Sequence, residues 1–158
     1  MNNLRTISDE IISLVKEWEP ILISLSPEII TTRRNKQNRN IKQILGHLID
    51  SSSNNTHRII HLQYQTSPLI FPNYASFGNN DRWIAIQDYQ HEDWSVMVNL
   101  WKFSTLHVSH VISCINTEKL DNEWISNPGE KLSLREMVNA FNSHLRLHLS
   151  EIEELMKQ

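Results

Sequence analysis

The chain has 158 residues and a mass of 18.6 kDa, with 39% hydrophobic and 21% charged residues. That is too apolar for a disordered chain and is the size of one domain, taken here as residues 1–158, rather than two. A net charge of -3 draws it neither to nucleic acid nor to acidic membranes, and no apolar run approaches the ~20 residues of a membrane helix.

Only three glycines and five prolines are available to turn the chain, which favours long helices over many short strands. The N-terminal Met-Asn-Asn-Leu-Arg lacks the apolar core of a signal peptide, and the single cysteine, Cys114, rules out an internal disulfide, so the cytoplasm is expected. The first helical stripe is Ile7, Ile11, Leu14, Val15, Trp18, Leu22 and Leu25, with Pro20 expected to kink or divide it. The basic group Arg33, Arg34, Lys36, Arg39 and Lys42 follows and reads as a solvated connection.

The second helix starts at Asn40, an N-cap with Gln43 three residues on, and runs through Ile41, Ile44, Leu45 and Leu48 toward Tyr64. About 25 residues then hold Pro68, Pro72, Gly78, Asn79 and Asn80, a connection long enough to be functional or disordered, in which Tyr74, Phe77 and Trp83 predict packing. The third helix carries Trp94, Met97, Val98, Trp101, Thr105, Val108, Ile112 and Ile115, with Cys114 read as a small buried hydrophobe. Asn127-Pro128-Gly129, flanked by Trp124-Ile125 and Leu132, predicts a short hairpin. Ser133-Leu-Arg-Glu136 is a capping box that opens the fourth helix, through Met137, Val138, Phe141, Leu145, Leu149, Ile152 and Leu155. Four such stripes bury best against one another. The expected fold is therefore all-α, an antiparallel four-helix bundle with a long connection between the second and third helices.

Eight histidines are many for this length. Residues four apart on a helix stand ~5–6 Å apart at Cβ, close enough for two imidazoles to reach one metal, and His57/His61 and His144/His148 have that spacing. His144 and His148 continue the inward stripe of the fourth helix, where unpartnered imidazoles are costly. His57 and His61 follow a polar run and read as solvated, while His107 and His110, three apart, diverge. A third ligand must come from a neighbouring helix. His47, beside Ile44 and Leu48, with Gly46 allowing close packing, is the best donor. From it Asp50, Ser51, Asn54, Arg58 and His61 follow at helical spacing, a stripe that is either a solvated face or the wall of a metal site.

His47-Leu48-Ile49-Asp50-Ser51 with Asn54 and Arg58, Trp94 with Trp101, and Phe141-x-x-His144-Leu-x-x-His148 with Ile152 carry a resemblance. From about Ile41 to Leu155 the chain resembles the DinB-like superfamily, most closely its YfiT-type metalloenzymes. Leu147 stands where many relatives have a further histidine, and Phe141 replaces a tyrosine whose hydroxyl lies near the metal. The resemblance implies a four-helix bundle in which His47, His144 and His148 hold one divalent ion. Three neutral imidazoles suit Zn, Ni, Fe or Co equally.

Relatives of this kind include bacillithiol S-transferases and a mycothiol-dependent isomerase. The implied activity is a metal-dependent transferase that joins a low-molecular-weight thiol to an electrophilic small molecule, with a metal-dependent hydrolase and a non-catalytic metal-binding module as alternatives. In that reading Asp50 and Asn54 orient imidazoles or substrate. Arg58, about 16 Å along the helix axis from His47, either holds a carboxylate at the far end of a long thiol cofactor or is an exposed arginine. His107 or Asp50 could close the metal shell. Small molecules are the expected partners, and monomer and homodimer are both left open.

Overall fold

The computed structural model describes residues 4–158; Met1, Asn2 and Asn3, part of the leader argument, lie outside the described residues. The elements are α1 (Leu4–Ser24), α2 (Pro27–Thr32), α3 (Ile41–Tyr64), α4 (Asn79–Gln87), α5 (Trp94–Ser113), a hairpin of β1 (Glu123–Asn127) and β2 (Glu130–Ser133), and α6 (Leu134–Met156). Local chemistry places the helix starts. Asn40 and Gln43 exchange reciprocal bonds of 3.0 Å at the head of α3, Ser133 and Glu136 form the same box at α6, and Asp93 caps α5.

The long helices α1, α3, α5 and α6 form a four-helix bundle whose core includes Ile11, Leu22, Leu45, Met97, Trp101 and Ile152, each fully buried. Packing order differs from sequence order, because α1 and α3 each pack on α5 and α6. Ser8 meets Ser109 and Glu19 meets Lys102, so α1 and α5 are antiparallel. Lys42 reaches the Gln90 and Glu92 carbonyls, Ser52 meets Thr105 and Gln63 meets Asn116, so α3 and α5 run parallel. Parallel neighbours need a crossover, which explains the length of the 65–93 connection. It must carry the chain back along the whole of α3, and it does so past the end of β1, where Leu69 bridges Trp124, and through α4.

Several expectations change. Pro20 does not divide α1, which continues to Ser24; the carbonyl it deprives of a partner belongs to exposed Lys16, where water can bond it. The basic group is only partly solvated: Arg39 is buried and paired with Asp81, Lys42 is buried, and Arg33 donates to the last carbonyls of α6, Leu155 and Met156. Cys114 is exposed, because α5 ends at Ser113 and the cysteine caps it on the solvent side. In the connection Tyr74 is buried, yet Phe77 is 78% exposed on a left-handed turn with Gly78. No helix among the described residues is long and apolar enough to cross a membrane.

Candidate metal centre

The polar stripe of α3 is not a solvated face. His47, Asp50, Ser51, Asn54 and Arg58 are all buried, because α6 on one side and the returning connection on the other cover them. Gly46 lets the connection come this close: a Cβ there would sit 2.2 Å from the Tyr89 ring.

Three imidazoles converge between α3 and α6. The Nε2 atoms of His47 and His144 are 3.2 Å apart and those of His148 and His144 3.1 Å, with the His47 and His148 rings 4.7 Å apart at their centroids. Among the described residues these three form the group able to offer ligand atoms to one ion. Burial first, then the neighbouring rings, lowers the pKa of His144 from 6.5 to about 4 and that of His47 to about 2, so both are neutral at neutral pH.

The outer hydrogen bonds set the tautomers. His148 Nδ1 lies 2.8 Å from Glu151 Oε2; a carboxylate only accepts, so Nδ1 carries the proton and the Nε2 lone pair faces the other rings. His144 Nδ1 lies 3.4 Å from Ser51 Oγ, which can accept in the same way. A protonated nitrogen can donate to one neighbour, so three facing nitrogens leave lone pairs opposed unless a cation lies among them. Two imidazole nitrogens bound tetrahedrally at ~2.0–2.1 Å stand roughly 3.3–3.4 Å apart, close to the spacing found here. The residues present fit a divalent metal.

The other expected site residues lie differently. Asp50 bonds no imidazole: its Oδ1 accepts from Tyr89 Oη at 2.8 Å and Gln87 Nε2 at 2.7 Å, and its Oδ2 is buried without a partner. Burial raises its pKa against those two bonds. Asn54 donates to the Asp50 carbonyl at 2.9 Å within its own helix. Arg58 is not exposed; its guanidinium lies 4.1 Å over the Trp124 ring and 5.4 Å from that of Tyr74. Arg58, Ser51, Tyr74, Trp124, Phe141 and His144 line one cavity of about 210 Å³. His57 and His107 are exposed, and His61 bonds Tyr64 at 2.6 Å. Leu147 is exposed too, so a histidine there would not reach the trio. The sequence reading missed Glu151, although its place three residues after His148 was a usable signal. It also missed Gln87, Tyr89 and Trp124, which carried none.

A bundle in which two helices contribute three facing imidazoles, two of them buried and one partly so, defines a helical protein of the kind that can hold a divalent ion. The chain belongs to the DinB superfamily, whose model matches residues 14–152. Among solved structures it is similar to YfiT from Bacillus subtilis, described as a probable metal-dependent hydrolase with an unusual four-helix bundle topology. The TM-score is 0.77 and the identity 17%, over 95% of this chain and 86% of that one. A search of curated proteins found no match.

Proposed function

We propose that this protein is a metal-dependent enzyme in which His47, His144 and His148 hold one divalent ion, and that it joins a low-molecular-weight thiol to an electrophilic small molecule. The observation that carries the metal is the convergence of three Nε2 atoms at 3.1 and 3.2 Å with Glu151 fixing the His148 tautomer. When bound, a Zn, Ni, Fe or Co ion would supply Lewis acidity to the oxygen or sulfur that completes its shell. Glu151 and Ser51 hold His148 and His144 in the tautomer that presents Nε2 inward, while the buried Nδ1 of His47 has no partner. Tyr74, whose ring lies 6.0 Å from that of His47, and Phe141 wall the cavity beside the trio.

The nearest carboxylate favours transfer over hydrolysis. Glu151 is bound to His148 and is no free base to take a proton from water, and Asp50 bonds none of the three imidazoles but accepts from Tyr89 and Gln87, whereas a thiol ionises readily beside a cation. The hydrolase reading draws on the description of the similar Bacillus subtilis structure. A non-catalytic module needs a closed shell, and the two candidates to close it are exposed His107 and Asp50, which bonds Tyr89 and Gln87 and none of the three imidazoles. The partners in this reading are small molecules and the compartment the cytoplasm.

Elemental analysis and a thiol assay test it together. One ion per chain is expected in the wild type and in His57→Ala, and loss of the ion in His148→Ala. Metal-dependent conjugation of a small thiol to monochlorobimane should disappear in His47→Ala. Stoichiometric metal in His148→Ala would refute the ligand set, and ester or amide hydrolysis without any thiol transfer would move the assignment to the hydrolase.

A further inference from the structure

We propose that the cavity beside the histidine trio binds a small molecule through a carboxylate group held by Arg58. The metal reading enters only in placing the reacting end of that molecule at His144.

Arg58 is a buried cation without an anion. Its residue is 5% exposed, and burial lowers its pKa only to about 10, so it stays charged at neutral pH. Its recorded hydrogen bond is a long one, Nη2 to Asn73 Oδ1 at 3.4 Å, and its Nε has no partner. Among the described residues no carboxylate pairs with it. Glu136, the acid that lines the same cavity, is committed to Ser133, accepting from its N at 2.8 Å and its Oγ at 2.7 Å. The faces of Trp124, Tyr74 and Phe71 attract the cation, yet they leave its five-donor edge nearly empty. A buried charge left in that state is costly unless a ligand completes it.

The shape of the site selects the ligand. A guanidinium beside aromatic rings presents a flat fork, which matches the two coplanar oxygens of a carboxylate. At about 210 Å³ the cavity is smaller than the ~300–1,000 Å³ of sites for drug-sized ligands, so it takes a small acid or the acid end of a longer molecule. Its walls of Trp124, Met137 and Phe141 suit a short apolar body between that acid and His144. Arg58 thus shares a cavity with His144.

Benzoate and benzamide, equal in shape and different in charge, test this on the metal-free protein, where no ion can hold the acid. The indole N–H of Trp124, unpartnered and beside Arg58, reports binding by NMR. Benzoate should bind about tenfold or more tightly than benzamide, as a charge-assisted pair requires. Arg58→Gln should bind the two equally, and Arg58→Lys, which keeps the charge and loses the fork, should keep a reduced preference. Equal binding to the wild type, or a preference that survives in Arg58→Gln, overturns the proposal. Inorganic phosphate binding more tightly than benzoate does the same, since the site would then be built for a tetrahedral anion. Metal content is measured separately: metal without acid preference sinks this inference alone, and acid preference without metal sinks the metal reading alone.

Discussion

Glu151 stands three residues beyond His148 on α6 and accepts a hydrogen bond from its Nδ1–H at 2.8 Å, so one surface-side carboxylate decides which nitrogen of a buried ring faces His144. The same Oε2 also accepts from Asn35 Nδ2 at 3.4 Å, which ties the loop before α3 to the trio.

Glu151→Gln keeps an acceptor for Nδ1 and removes the charge that strengthens it. Metal affinity, read by competition with a chromogenic chelator, should fall by about 10–100-fold while the helical circular dichroism stays the same. Unchanged affinity would strip Glu151 of this role.

The metal-free protein should lose stability in acid. The pKa of His144 is lowered to about 4, and that of His47 further still, from the ordinary 6.5. Between about 6.5 and 4 the unfolded chain takes up protons that the folded rings refuse, so stability falls as pH drops through that window, and these groups add nothing above it. The Tm of chelated protein should be lower at pH 5 than at pH 7, with a shallower slope in His144→Gln. An identical slope in that variant would point to other groups.

Gly46→Ala should cost about 1–3 kcal/mol or more, since the new Cβ would lie 2.2 Å from the Tyr89 ring and overpack a closed contact. Tyr89 also donates to Asp50, so the same change loosens the connection over the site. Urea unfolding measures it, and a loss under about 0.5 kcal/mol, the range of ordinary surface changes, would mean that Tyr89 moves aside freely.

The sequence by itself determined the four long helices, the caps of α3 and α6 and the inward pair His144 and His148. These depend on contacts within about four residues, where periodicity and capping chemistry act directly. Asn40 with Gln43 and Ser133 with Glu136 start their helices where the spacing predicts, and the Asn127-Pro128-Gly129 turn makes its hairpin. The direction of the α3 face was not legible in this way, because a stripe of Asp50, Ser51, Asn54 and Arg58 has the same period whether water or protein covers it. Only the tertiary structure decided that question. The parallel pairing of α3 with α5 forces the connection back along the bundle, and that return turns Asp50 to Tyr89, while the hairpin after α5 lays Trp124 over Arg58. Contacts between residues 39 and 66 positions apart leave no periodic trace in one chain, so only the folded paths of the connection and the hairpin place them.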